Sequence, residues 1–416
     1  MLGNGERSII VNVISREGTM NGKNTALIFG AGASACYEDG VHRIPTQFEI
    51  LKSLSYPRLS TSSGFGAPTF INTSGMSHSF PLAQYLHNKF GIPQKDGGEA
   101  TTFWEEIVEK QKLSLESLYD ILEDDHSEDG PYACQDFQAI IRSKIADGTG
   151  DRSSDKVCRY HRKLAKALEP GDYIVDFNWD TVVDDALLYE SPYWFPTTGY
   201  GVPAFGWQGE FNNKHFPIKS LIEVFHIHGS VVLFEPLDTG LRDRLKRIMV
   251  IGPKGYSTIN VLTDLMGITQ EEVAEAGKGE KQPTPKRATS KEEEYYIGLG
   301  YLWIPGKNTW LRPIFIPPSK TKPEYKNWYA SFLRKNILSK LPFTEQFFII
   351  GYSFPPADFS HLHQFFVPEI ISEDARFKCI NLENENKEYK QRAKTLFPNW
   401  EIDFSITDFK QFCNSL

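Results

Sequence analysis

TALIFGAGASA, running from Thr25 to Ala35, is the stretch whose reading decides the fold. Thr25 to Phe29 is a short apolar run that predicts a strand, and it enters Gly30, Gly32 and Ala35 without a break. That is the G-x-G-x-x-G/A spacing of a dinucleotide-binding turn, with a helix expected after it. The spacing has a steric and an electrostatic reason. Gly30 permits the tight turn, Gly32 lets backbone N–H groups approach a pyrophosphate, and Ala35 keeps the new helix close to the strand. The helix N-terminus adds attraction for an anion. Short Gly/Ala turns also follow apolar strands for purely structural reasons, so the motif has to be read with the rest of the chain.

Outward from this turn, apolar runs recur at residues 172–177 (DYIVDF), 221–227 (LIEVFHI), 346–350 (QFFII), 376–380 (RFKCI) and 401–406 (EIDFSI). Helical patterns lie between them, and QFFII is almost wholly apolar, as a buried parallel strand should be. The expected fold class is therefore α/β: a Rossmann-like, mostly parallel sheet with helices on both faces and a helical insertion module. The insertion is expected at about 55–150. Within it SLESLYDILED sets Leu115, Leu118, Tyr119 and Leu122 on one helix face, and FQAIIRSKIADG is expected to stop at a Gly. Asp155 to Leu168 predicts a basic amphipathic helix ended by Pro170-Gly171, whose Lys and Arg read as a solvated face. Residues 1–22 are expected to be peripheral, with Met20 as an alternative start, and residues 23–416 to form the main domain. Two loop-rich insertions are expected, an aromatic one at 191–216 and an exposed, polar one at 267–294.

Composition narrows the function classes. A formal charge of −8 argues against a role that coats nucleic acid, which needs a basic surface. The five cysteines are scattered without a C-x-x-C pair, which excludes a paired-Cys zinc ribbon and gives no sign of a disulfide framework; a reducing cytoplasm is the expected home. No run of about 18 apolar residues predicts a membrane span, and the N-terminus lacks the apolar core of a signal peptide.

Small and polar residues fall just past each strand: Gly30–Ser34, Asn178–Asp180, His228–Ser230, Gly351–Ser353 and Asn381. In an open parallel sheet, ligands bind outside the carboxyl ends of the strands at a topological switch point. Five polar strand ends therefore predict one cleft.

The ordered set GAGAS, FNWD, HIHGS, GYSFPPAD and INLE resembles the sirtuin-like proteins, with the closest look to the bacterial branch that hydrolyses NAD in antiphage defence. The resemblance covers about residues 24–410. It implies that Gly30, Ala31, Gly32, Ala33 and Ser34 cradle a pyrophosphate. Asn178 and His228 match the family's catalytic Asn and His, and Asp180 the residue holding the nicotinamide carboxamide. Gly351 and Ser353 would contact phosphate and ribose, with Asn381 and Glu383 near the adenosine ribose. NAD+ would be the substrate, and no metal is expected. The resemblance further implies a homo-oligomeric effector, acting beside a HerA-type ATPase or an Argonaute-like protein; with no apolar span, no membrane partner is expected.

The residue types suit that chemistry. Breaking the nicotinamide–ribose bond releases a neutral leaving group, so the site must fix the ribose and admit a nucleophile. An uncharged Asn positions a water or hydroxyl, and a His accepts its proton. Two departures stand against protein deacylation. The four zinc-binding cysteines of deacylating sirtuins are missing, and Arg43-Ile44-Pro45-Thr46-Gln47-Phe48 replaces the family's Gly-Ile-Pro-Asp-Phe-Arg run.

Structural readings stand beside these. Asn178 at a strand–helix junction is also a helix cap, and His228 a core histidine. His226 and His228, with His361 and His363, form two H-x-H pairs of metal-ligand type. Asp358 either caps a helix or faces the cleft. Ser353 does not sit in a G-x-S-x-G nucleophile turn. The expected function is NAD+ glycohydrolase; the alternatives are a non-catalytic NAD- or ADP-ribose-binding subunit and a zinc-free deacylase or ADP-ribosyltransferase.

Overall fold

In the computed structural model of the chain, β1 (Asn24–Phe29) lies inside a sheet of six parallel strands. The order across it is β11 (Ile402–Ile406), β10 (Arg376–Ile380), β9 (Thr344–Ile350), β1, β2 (Tyr173–Asp176), β4 (Glu223–His226). The structure describes residues 24–37, 43–46, 49–51, 81–91, 114–149, 154–196, 198–208, 220–246, 248–251, 302–304, 309–316 and 328–416. The segments expected at 1–22 and 267–294, and residues 55–80 and 92–113 of the expected insertion, lie outside them.

Numbered along the chain, the six strands stand 3-2-1-4-5-6 from the β4 edge, the doubly wound order whose switch point lies between β1 and β9. The expected Rossmann-like α/β class is borne out by this order. β2 is buried along its whole length and β1 along its last four residues, so both faces of the sheet's middle are covered. Register levels the strand ends. Phe29 pairs with Asp176 on one side and Ile350 on the other, Asp176 with His226, and Ile350 with Ile380. Gly30, Phe177, Ile227, Gly351 and Asn381 therefore leave the sheet at one height.

A second sheet was not legible in the hydrophobic pattern. β3 (Ala204–Gln208), β5 (Gly229–Pro236), β6 (Ile248–Ile251), β7 (Leu302–Ile304) and β8 (Thr309–Phe315) pair in the order β3-β6-β5-β8-β7, with antiparallel pairs at β5–β6, β5–β8 and β7–β8. Residues 191–216, read as loop-rich, thus include a strand. Only Ile227 and His228 separate β4 from β5, so one apolar run serves two sheets.

Helices follow the periodicity. The one-turn α1 (Ala31–Ser34) succeeds β1. α2 (Pro81–Phe90) and α3 (Leu115–Glu123) pack on α4 (Gly130–Thr149). Ser114 and Ser117 form a capping box at the start of α3, which buries Leu115, Leu118, Tyr119 and Leu122, each contributing about 1.5–3 kcal/mol by leaving water. α4 does not stop at Gly148. It continues to Thr149, where Gly148 lies against the Arg43 carbonyl and Pro45, and the Tyr37 hydroxyl donates to the Thr149 carbonyl at 2.8 Å. The helical stretch thereby docks on the segment following the Gly turn.

α5 (Arg159–Ala167) begins later than the 155–168 expectation, after Cys158. It packs on α6 (Val182–Glu190) and on α11 (Phe409–Ser415), and its Arg162 and Lys166 pair with Glu190 of α6. α7 (Thr239–Leu245) follows β5, while α8 (Trp328–Lys340), α9 (Pro356–Phe365) and α10 (Lys387–Leu396) connect the later strands of the parallel sheet. No described helix is long and apolar enough to cross a membrane.

Candidate functional site

The Gly turn owes its glycines first to the neighbouring strand end. Gly30 donates its N–H to the Ile350 carbonyl at 3.0 Å, and Gly32 donates to the Gly351 carbonyl at 2.9 Å. A Cβ on Gly30 would stand 2.5 Å from Tyr352 Cα, and one on Gly32 2.7 Å from Gly351 Cα. Gly351 has φ +62 and lies so close that its own Cβ would meet the Ala33 nitrogen at 2.1 Å. The switch point is thus a backbone-to-backbone contact. Ala31 and Gly32 remain exposed at its lip, while Gly30, Ala33 and Ser34 are buried. The helix expected to attract an anion is a single turn, which corrects that reading: four residues build little macrodipole.

β2 delivers the next group. The Asn178 side chain donates from Nδ2 to the Gly30 carbonyl at 3.1 Å and to Ser34 Oγ at 3.3 Å. The Ser34 hydroxyl donates to Asp180 Oδ1 at 3.1 Å, and the same oxygen accepts the Val182 N–H at 3.0 Å. Asn178 is therefore not the helix cap. Thr181 occupies that position, and Asp180 takes the backbone N–H at the start of α6. Asn178, Ser34 and Asp180 are all under 7% exposed. They fasten the Gly turn to the end of β2, and burial raises the Asp180 pKa against the pull of its hydrogen bonds.

His228 completes the cluster from the β4–β5 junction. Its Nδ1 lies 3.0 Å from the Phe177 carbonyl, and its Nε2 3.1 Å from Asp358 Oδ1. The other Asp358 oxygen accepts the Tyr352 hydroxyl at 2.8 Å. Tyr352 stacks on Phe177 at 4.5 Å, and Phe177 meets the His228 ring edge-on at 5.4 Å. With both ring nitrogens on acceptors, His228 donates twice when Asp358 is ionised. Two residues past Tyr352, Phe354 holds φ +53, a left-handed conformation that a bulky side chain adopts only when its surroundings force it.

Beneath lies a buried charge cluster. His226 Nε2 lies 3.0 and 3.1 Å from the two Asp184 oxygens, and Nδ1 3.3 Å from the Asn178 carbonyl. Burial opposes its protonation, but the Asp184 charge and hydrogen bonds, with Asp176 behind them, win and raise its pKa to about 9. Asp176 is pushed well above the usual carboxylate range by burial, with His226 pulling the other way. Its Oδ1 accepts the Asn178 N–H at 2.8 Å.

The remaining residues sort by position. Asn381 donates to the Tyr352 carbonyl at 3.1 Å and accepts the Glu383 N–H at 3.0 Å, clipping β10 to β9. The Glu383 side chain is turned to Arg392 and lies outside the cluster, and Ser353 is exposed at the rim. The ring nitrogens of His226 and His228 engage different carboxylates, which does not suit a shared metal; His363 is exposed, and the His361 side chain lies outside the description. Sequence reasoning left Asp358 open between two roles and missed Tyr352, Asp176 and Asp184. Only the GYSFPPAD spacing, six residues from Tyr352 to Asp358, hinted at the first pair. A cleft of about 810 Å³, lined by Phe348, Arg376, Lys378, Trp400 and Asp403 among others, lies at β9–β11 and contains none of the candidate residues.

The strand order and the polar cluster at its switch point define a doubly wound α/β protein with a candidate nucleotide site. No protein-family model matches the chain, and no curated protein does. Among solved structures, a Sir2 variant with a deacetylated p53 peptide and 3'-O-acetyl ADP-ribose is similar over 98% of this chain and 95% of that chain, at 10% identity and a TM-score of 0.31. The class rests on strand order and register, not on that likeness.

Proposed function

We propose that the chain is a sirtuin-like NAD+ glycohydrolase, cleaving NAD+ with water to nicotinamide and ADP-ribose. The observation that carries the reading is the joining of Asn178, Ser34 and Asp180 to the Gly30 turn beside the His228–Asp358 pair, all at one switch point. In the reaction the bond between ribose C1' and the nicotinamide nitrogen breaks. Nicotinamide leaves with the bonding electrons as a neutral molecule, and water bonds to C1'. The proton released by the water passes to the His228–Asp358 pair and then to solvent. Because His228 already carries two protons when Asp358 is ionised, the Asp358 carboxylate takes the proton, or His228 first gives up its Nε2 proton as the contact opens and then receives it. The ordered motif set supports the family assignment. The antiphage effector role, homo-oligomer, HerA-type or Argonaute-like partner and cytoplasmic location extend the proposal on resemblance alone.

One observation favours a second reading, a non-catalytic NAD- or ADP-ribose-binding subunit. Asn178 Nδ2 and both His228 nitrogens already have protein partners. The test is NAD+ turnover by the purified chain beside Asn178→Ala and His228→Ala, with a candidate ATPase partner in a second set. Nicotinamide release by the wild type, reduced about 100-fold or more in both variants, supports the hydrolase. A wild type that binds NAD+ and never consumes it, even with the partner, gives the regulatory reading.

A further inference from the structure

Cys36, Cys158 and His161 meet at a place the candidate nucleotide site does not use. Cys36 lies on the turn that closes α1, two residues past Ser34. Cys158 is the N-cap residue of α5 and His161 lies in its first turn, a C-x-x-H spacing that sets both side chains at one end of the helix. Cys36 Sγ is 3.5 Å from Cys158 Sγ and 3.8 Å from His161 Nδ1, and the three donor atoms all lie within 4.8 Å of one another. His161 is fully buried, with no hydrogen-bond partner for Nε2 among the described residues, and Cys158 is buried beside it.

The distances exclude one reading and fit two. A disulfide needs its sulfurs at about 2.05 Å, far inside the observed separation. Thiol hydrogen bonds joining Cys36 to Cys158 and to His161 fit both distances, and the experiment below separates them from a bound ion. A tetrahedral zinc ion, with Zn–S of about 2.3 Å and Zn–N of about 2.0–2.1 Å, holds two sulfurs roughly 3.7 Å apart and a sulfur and a nitrogen roughly 3.6 Å apart. The two measured edges lie within a few tenths of an ångström of those values. Phe29 and Phe409 wall the site, with ring centroids 5.9 and 4.9 Å from that of His161.

We propose that Cys36, Cys158 and His161 bind one thiolate-preferring divalent ion of the zinc class. The ion would staple the turn behind Ser34 to the start of α5, so that loading stiffens the Gly turn from behind. The arrangement is unlike a four-cysteine cluster built from C-x-x-C pairs, because its ligands are two cysteines and a histidine from two separate elements.

The experiment titrates the purified, metal-stripped full chain with cobalt(II) under reductant. One cobalt per chain, with thiolate-to-cobalt charge-transfer absorption, the strong visible bands of a tetrahedral ion and displacement by zinc, is the expected result. Cys158→Ser should weaken binding about tenfold or more, while Cys134→Ser on α4 leaves it unchanged. A wild-type chain that develops no such bands overturns the proposal, and that reading does not depend on the variants folding. Bands that survive in both Cys36→Ser and Cys158→Ser overturn it as well. So does a chain that carries a Cys36–Cys158 disulfide when isolated without reductant and takes up no cobalt after reduction.

Discussion

Nε2 of His228 lies 3.1 Å from Oδ1 of Asp358, joining the β4–β5 junction to the first turn of α9. Under the glycohydrolase proposal Asp358 stabilises the charged imidazole. Asp358→Asn keeps the shape and removes the charge, so kcat is expected to fall about 10- to 100-fold with KM nearly unchanged. Steady-state NAD+ turnover checks this, and an unaltered kcat would remove Asp358 from the mechanism.

Asn178→Ala should cost stability as well as turnover. The variant removes one of the two donors to the Gly30 carbonyl, which keeps the Ala33 N–H, and the donor to the Ser34 hydroxyl, a loss of about 1 kcal/mol. Urea unfolding measures it. A variant as stable as the wild type would mean that the amide does not tie the Gly turn to β2.

Gly351→Ala is expected to be among the most damaging single-methyl additions in the chain. Its φ of +62 disfavours any side chain, and the new Cβ would lie 2.1 Å from the Ala33 nitrogen. A loss of about 2 kcal/mol or more follows, read as a lowered denaturant midpoint. A neutral substitution would show that the β1 and β9 ends are not in contact.

Stability should fall as pH rises from about 6.5 to about 9. His226 holds its proton to about 9 in the folded chain and loses it near 6.5 when unfolded. Its contribution is therefore complete below about 6.5 and disappears through 9, on the order of 3 kcal/mol at most. Asp176, with its pKa also raised, acts with the same sign from about pH 4 upward. Unfolding free energies at pH 6 and pH 9 test this, with His226→Gln expected to lose most of the slope. A wild type equally stable at both values would contradict a charged His226.

Much of the parallel sheet was legible because its cause is local. Leu27, Ile28 and Phe29 form an apolar run that makes sense only as a strand buried on both faces, and Phe347, Ile349 and Ile350 are buried in β9 beside it. The polar residues past each run mark the strand ends. The second sheet was not legible. β5 follows β4 after two residues, and β3 lies in an aromatic stretch with no alternation to betray it. The glycines of the turn were legible as glycines, but a second reason for them was not. They make room for Gly351 and Tyr352 before any ligand.

By itself the sequence determined the run of strands, the Gly turn and the ends at which polar residues gather, since periodicity and turn chemistry act between near neighbours. Tertiary structure alone decided the pairings: Asp358 with His228, Asp184 with His226, Cys36 with Cys158 and His161. Those contacts join residues far apart in the chain and depend on the register that levels Phe29, Asp176, His226 and Ile350. Their protonation depends on burial as well, because removing water raises the free energy of a lone charge until a partner of opposite sign stands within a few ångströms. No local pattern of residues encodes that distance.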